Sequence, residues 1–187
     1  MTLSTKTTNT QSALRDYTTL VTELDDAITQ SAAHHANRLQ CRPGCADCCE
    51  SFSVLPVEAE VIQTALAALA PASLANIEES AVRHPEKCPF LIDNLCAIYD
   101  HRPLICRTQG LAIAYIDHQH ETIEVSACPI NFPEDEEYPF AEHDLLLMDP
   151  FNDRLAAINR EFCNKREIAS AKRISFRKIL TEALKWR

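Results

Sequence analysis

The residues with the clearest chemical potential in this chain are its cysteines. Residues 41 to 50 read CRPGCADCCE, which places four thiols within nine positions. Soft metal ions bind several thiolates at about 2.3 Å, and two or three intervening residues let sulfurs converge without strain. The spacing of Cys41, Cys45 and Cys48 meets that requirement, so this segment is a candidate metal-binding loop.

Cys48 and Cys49 are neighbours in the sequence. In extended backbone, adjacent side chains point in opposite directions, so both sulfurs are not expected to bind one tetrahedral ion. The pair indicates either two metal centres or one centre that uses a single cysteine of the pair.

The spacing of Cys41, Cys45 and Cys48 also matches the cluster loop of radical S-adenosylmethionine enzymes. Those enzymes have an aromatic residue before the last cysteine, where this chain has Asp47, and a glycine-rich strand end. The chain has only two glycines and is short for the (β/α) barrel of these enzymes, so this alternative is disfavoured. The same scarcity excludes glycine-rich dinucleotide and phosphate loops.

Nine cysteines in a reducing compartment favour metal binding over a disulfide framework. The first residues, MTLSTKTTNTQSALRDY, are polar and lack the apolar run of a secretion signal, and the run TALAALAPASLANI is short and interrupted by Pro71. We therefore expect a cytoplasmic protein with no membrane partner.

The net charge of −9 repels phosphate backbones and disfavours nucleic acid as a partner. The segment NKREIASAKRISFRK is the candidate basic face, but its pattern is typical of the solvated side of a helix.

The elements that must position the cysteines are mainly helices. An amphipathic helix over about 10–38 is predicted from the helical spacing of Leu14, Tyr17, Val21, Leu24 and Ile28, and Pro43 and Gly44 should end it. Pro56 should open a further helix that Pro71 stops, and SLANIEESAVRH should form another. C-terminal helices are expected over about 150–186. The segment PEDEEYP, which precedes the C-terminal helices, is predicted to be an acidic loop.

Two hairpins are predicted in the cysteine-rich region. The first turns at Asp93-Asn94 and carries Cys88 and Cys96; the second turns through residues 117–120 and ends at Cys128. The predicted class is α+β, a mostly helical single domain over 1–187 with a small cysteine-rich hairpin and loop region at a metal site. Its cysteine-cluster core covers about 41–130.

Read together, CRPGCADCC, CPFLIDNLCAIY, RPLICR and the cysteine at 128 resemble the YkgJ-type cysteine-cluster family, whose CxxCxxCC domain is described as zinc- or iron-chelating. The resemblance covers residues from about 41 to 130. It implies metal binding, and flagellin lysine N-methylases carry a similar cysteine pattern. The metal ligands it implies at matching positions are Cys41, Cys45, Cys48, Cys49, Cys88, Cys96, Cys106 and Cys128.

Other candidates carry weaker signals. Arg107 could donate a hydrogen bond to a metal-bound sulfur and so assist cofactor binding, or it could form an ordinary salt bridge. Tyr99 is expected to pack in the core. Cys163 has the pattern of a buried apolar residue. The histidines are given no metal role, because eight cysteines already fill two tetrahedral sites.

Three closely spaced cysteines plus a distant fourth favour an iron–sulfur cluster over zinc, because zinc ribbons show two separated CxxC pairs. Enzyme status stays open. An iron–sulfur centre would allow electron transfer or a cluster-assisted modification such as methylation, whereas structural zinc would indicate an interaction module with a protein partner.

Overall fold

A computed structural model of the chain describes residues 3–133 and 139–185. Helix accounts for 51% of the residues and strand for 13%, which confirms the predicted α+β class. The helices are α1 Leu3–His34, α2 Pro56–Ala67, α3 Pro71–Arg83, α4 Leu104–Arg107, α5 Asp149–Arg166 and α6 Phe176–Leu184. The strands are β1 Ser53–Val54, β2 Leu91–Ile92, β3 Leu95–Cys96, β4 Ala112–Asp117, β5 Thr122–Ala127, β6 Leu146–Leu147 and β7 Ile174–Ser175.

The chain divides into two compact units. Unit 1 comprises Met1–Tyr17, Pro43–Pro103 and Ile158–Arg187, and unit 2 comprises Thr18–Arg42 and Leu104–Ala157. The prediction of one domain with a core over 41–130 stays a prediction.

Unit 1 is built on α2, α3 and α6. Pro56 occupies the first position of α2, as predicted, because the first residue of a helix needs no amide donor. Pro71 was expected to stop this helix, but α2 already ends at Ala67 and Pro71 occupies the first position of α3. Glu58 accepts a hydrogen bond from the Leu55 amide at 3.0 Å and so satisfies one free donor at the start of α2. Phe90 and Phe176 are fully buried, with ring centroids 5.3 Å apart, and anchor the core.

Two small β-elements complete unit 1. Strands β1 and β7 form an antiparallel pair, and β2 and β3 form the predicted hairpin with Leu91 opposite Cys96. Asp93 and Asn94 have φ values of 49° and 61°, the left-handed conformation that two-residue hairpin turns require.

Unit 2 contains a sheet of three strands in the order β5-β4-β6. The β4–β5 hairpin was predicted and runs from the Ala112–Ala127 pair to the Asp117–Thr122 pair. Strand β6 lies parallel to β4 and was not predicted, because two residues carry no periodic signal. His35 is buried against Phe132, with ring centroids 5.0 Å apart.

Helix α1 ends earlier than predicted. It stops at His34 and is followed by a turn in which the Arg38 amide donates to the His35 carbonyl at 2.8 Å, so Pro43 and Gly44 do not end it. The predicted C-terminal helices are present as α5 and α6. Most of the predicted acidic loop PEDEEYP lies outside the described residues. In the described ranges, no helix is long and apolar enough to cross a membrane.

Candidate metal centre

The loop at residues 45–50 belongs to unit 1 and is bent rather than extended. Cys48 lies in a turn, and the Cys49 amide donates to the Ala46 carbonyl at 3.0 Å. The Cys48 thiol hydrogen-bonds with the Cys49 side chain, and this bond together with burial raises the pKa of Cys48 well above its ordinary value. The expectation that the two sulfurs point in opposite directions is therefore wrong, because it assumed extended backbone.

The next two cysteines of unit 1, Cys88 and Cys96, lie before and within the hairpin β2–β3, and each sulfur accepts a hydrogen bond from the backbone. The backbone of Phe90 hydrogen-bonds to the Cys88 sulfur, and the backbone of Ile98 does the same for Cys96. Each donor lies two residues after its cysteine. Such amide donors stabilise a thiolate and are typical of sulfurs that bind metal.

Burial opposes this stabilisation in the metal-free thiols. It raises the pKa of Cys88 to about 11, and it also raises the pKa of Cys96. The charge of Cys96 raises the pKa of Cys88 further, which shows that the two sulfurs are near each other. A bound cation would favour the thiolate form of both residues.

The loop and the hairpin are joined by the backbone. The Cys88 amide donates to the Cys49 carbonyl at 3.1 Å, and the Leu91 amide donates to the Cys88 carbonyl at 3.2 Å. The structure thus brings Cys48, Cys49, Cys88 and Cys96 to one region of unit 1, and Cys45 enters it through the same short loop.

Two arginines of unit 1 support the hairpin. Arg177 on α6 donates to the carbonyls of His84 and Lys87 at 3.4 and 3.1 Å and also to that of Pro85, and its charge lowers the pKa of Cys88. Arg102 acts in the same direction on the pKa of Cys96. Its guanidinium lies 3.8 Å from the ring centroid of Tyr99, which is 60% exposed, so the expectation that Tyr99 packs in the core is wrong.

The remaining predicted cysteines lie in unit 2. Cys106 is on α4, and Cys128 follows β5. Cys41 accepts a hydrogen bond from Asn131 Nδ2 at 3.4 Å, and the same amide nitrogen donates to the Gly110 carbonyl at 2.6 Å. Asn131 Oδ1 accepts from the Gln40 amide at 2.8 Å, so this buried side chain fixes the backbone and the sulfur of the Cys41 segment.

Arg107 forms a salt bridge in unit 2. Its Nη1 lies 2.9 Å from Asp25 Oδ1 and 2.8 Å from Oδ2, which is the ordinary ion pair considered as the alternative. A role for Arg107 beside a metal-bound sulfur stays a prediction.

Comparison with known families addresses the cysteine pattern directly. Residues 40–129 match the model of the CxxCxxCC family, described as "Putative zinc- or iron-chelating domain". Over these residues the chain is similar to the CxxCxxCC family, and we call residues 40–129 the CxxCxxCC domain. No curated protein and no solved structure matches the chain.

The CxxCxxCC domain includes the eight cysteines predicted as ligands and excludes Cys163. Cys163 is fully buried on α5 and contacts Asn159 Oδ1 at 3.6 Å, in keeping with its predicted packing role. The family supports metal binding, with zinc and iron both compatible. Which of the eight cysteines bind the metal stays a prediction.

The spacing of the sulfurs provides a test of fit for each metal. Among the described residues, no three cysteine sulfurs of either unit lie within 4.8 Å of one another. Four thiolates bound to one zinc ion at about 2.3 Å are about 3.8 Å apart. In an iron–sulfur cluster each iron takes at most two thiolates, so convergence of three sulfurs is not required.

Several residues at these sites were not predicted. Asn131 and Arg177 act through contacts with residues about ninety positions away, and Arg177 lies in the basic stretch interpreted as a surface. His34, His143 and Asp144 form a group whose ligand atoms all lie within 4.8 Å of one another. The adjacent histidine and aspartate at 143 and 144 were a local signal, but only folding brings His34 to them.

Proposed function

We propose that this chain is a cytoplasmic iron–sulfur protein whose CxxCxxCC domain holds the cluster on cysteines of unit 1. The ligands would be Cys48 and Cys49 as one pair and Cys88 and Cys96 as the other, with Cys45 of the same loop as a further candidate. The cysteines of unit 2, Cys41, Cys106 and Cys128, are a second group of candidate thiolates.

The observation that carries the choice of iron is the distribution of thiols in unit 1. Cys48 and Cys49 contact each other, and Cys88 and Cys96 are near each other, but no third cysteine sulfur joins either pair within 4.8 Å in the part of the chain that the structure describes. Paired thiolates suit a cluster, whereas one zinc ion needs three or four converging ligands.

The residues around the sulfurs are suited to a cluster that exchanges electrons. Amide donors from Phe90 and Ile98, and the positive charges of Arg102 and Arg177, reduce the electron density on the sulfurs. When bound, an iron–sulfur cluster would supply one-electron transfer. The protein side chains would fix its ligands and set the charge around them, and we assign no substrate to the protein.

Spectroscopy of protein purified without oxygen tests the proposal. We expect a brown protein whose visible absorbance falls on reduction and which then gives, or loses, a cluster electron paramagnetic resonance signal. Cys88→Ser and Cys96→Ser should each lose most of that absorbance, because each removes one thiolate.

The matched control is Cys163→Ser, which changes a cysteine outside the CxxCxxCC domain and keeps a donor for Asn159. It should retain the full spectrum. A colourless protein that contains zinc, or equal losses in all three variants, would overturn the proposal.

A further inference from the structure

Unit 2 contains a second group of metal-binding side chains that is chemically different from the cysteines. We propose that His34, His143 and Asp144 bind a divalent first-row transition ion independently of the thiolates. This site does not depend on the identity of the cofactor proposed above.

The three side chains converge from distant parts of the sequence. His34 is the last residue of α1, and the other two residues belong to a short 3₁₀ turn at Glu142–Asp144. One ligand atom from each residue lies within 4.8 Å of the others, and His143 Nε2 lies 3.7 Å from Asp144 Oδ1. Bonds of about 2.0–2.2 Å to one ion would place the ligand atoms about 3.0–3.5 Å apart, so small side-chain rotations complete the site.

The turn is held in place by contacts that leave one carboxylate oxygen facing His143. Asp144 Oδ2 accepts a hydrogen bond from the Ala141 amide at 2.8 Å, while Oδ1 faces His143. Buried His35 lies 2.8 Å, through Nε2, from the backbone carbonyl of Asp144. The aspartate is therefore oriented before any ion binds.

A salt bridge between His143 and Asp144 would explain two of these residues but not the third. The rings of His34 and His143 are 5.4 Å apart between centroids and tilted by 53°, so their nitrogens can be shared by one ion without stacked rings. Two imidazoles beside a carboxylate are stabilised more by binding one shared cation than by contact with each other.

The donor set defines the ligand class. Two imidazoles and one carboxylate suit Fe²⁺, Zn²⁺ or Co²⁺, and three protein ligands leave coordination positions for water or a small molecule. The His143 side chain is 69% exposed, so those positions face solvent. Such an open site is suited to a reactive ion rather than a structural one.

Cobalt titration tests the site on the full chain purified with its cysteine centre filled. We expect uptake of one additional Co²⁺ per chain with weak visible bands and no thiolate-to-cobalt charge transfer. His34→Gln and His143→Gln should each weaken cobalt binding at least tenfold, because loss of even a residue that supports a ligand costs about 10–100-fold.

The matched control is His118→Gln, which removes an exposed histidine elsewhere in unit 2. It should bind Co²⁺ as the natural chain does, and unchanged circular dichroism should show that all variants fold. Absence of cobalt uptake, equal weakening in all variants, or uptake accompanied by thiolate charge transfer would overturn the proposal. A zinc-loaded cysteine centre would contradict the proposed function but leave this result unaffected.

Discussion

Gly44 and Gly110 share a φ of +96°, but their surroundings differ. A Cβ atom built at Gly110 would lie 2.5 Å from the Cys41 sulfur, whereas one built at Gly44 would have no neighbour within 4 Å. Close approach of the backbone to a sulfur is a use of glycine that no other residue can replace.

We therefore expect Gly110→Ala to be far more harmful than Gly44→Ala. Both variants lose about 1–2 kcal/mol to the left-handed backbone, and Gly110→Ala loses a further 1–3 kcal/mol to the clash with Cys41. Chemical denaturation measures the difference in the free energy of unfolding. Equal losses would show that Cys41 is free to move away.

The thiol of Cys88 should make the metal-free, reduced protein sensitive to alkaline pH. Its pKa is about 11 in the folded chain against an ordinary value of 9.0, so folding favours the protonated form. The stabilisation is complete below about pH 9 and is lost as the pH rises towards 11, at a cost of about 3 kcal/mol.

Chemical denaturation of the protein, after a chelator has removed its metal, would measure this loss of stability between pH 8 and about 11. Cys88→Ser provides the comparison, since it removes the thiol whose pKa is raised by burial. A variant with the same slope as the natural chain would contradict the assignment to Cys88.

At the scale of elements, helix α6 positions the hairpin through Arg177. The arginine is bonded to several carbonyls of the segment that precedes Cys88, and hydrogen bonds from a charged group each contribute about 1.5–3 kcal/mol when well formed. Arg177 also places a positive charge near the Cys88 sulfur.

Arg177→Ala should lower the free energy of unfolding by about 2 kcal/mol and hasten loss of the bound metal to a chelator. Lys178→Ala removes the neighbouring charge, whose ion pair with Glu182 is long at 3.9 Å, and should change stability by less than about 0.5 kcal/mol. Rates of metal release that are the same in both variants would show that Arg177 does not support the site.

The elements that could be predicted are those defined by local chemistry. Asp93-Asn94 between two apolar pairs predicted the first hairpin, and Pro56 predicted the start of α2. Pro71 was expected to stop a helix and instead begins α3. The buried face of α1 was predicted only in part, because Ala13 and Leu20 are buried while Leu14 and Val21 are half-buried. On a long helix with residues of intermediate hydrophobicity, more than one face can be buried, and tertiary packing decides which face is buried.

The parts of the sites that could not be predicted depend on distant contacts. Asn131 reaches Cys41, Arg177 reaches the segment before Cys88, and His34 approaches His143 only after folding. The directions of the Cys48 and Cys49 side chains were also predicted wrongly, because Cys48 lies in a turn and not in extended backbone. The set of eight cysteine ligands follows from the resemblance of their pattern to the CxxCxxCC family and stays a prediction.

At the scale of the whole molecule, the basic stretch near the C-terminus is used largely within unit 1. Arg166 pairs with Glu60 at 2.8 and 2.6 Å, and Lys165 pairs with Glu161. With a net charge of −9, these pairs support the expectation that nucleic acid is not a partner, which stays a prediction.

We propose that the CxxCxxCC domain of this protein holds an iron–sulfur cluster. The most direct test is the amount of iron, zinc and acid-labile sulfide per chain in protein purified without oxygen. We predict iron with an equal amount of sulfide and little zinc. Zinc without sulfide would contradict the iron–sulfur proposal and would indicate that the cysteines form a structural zinc site.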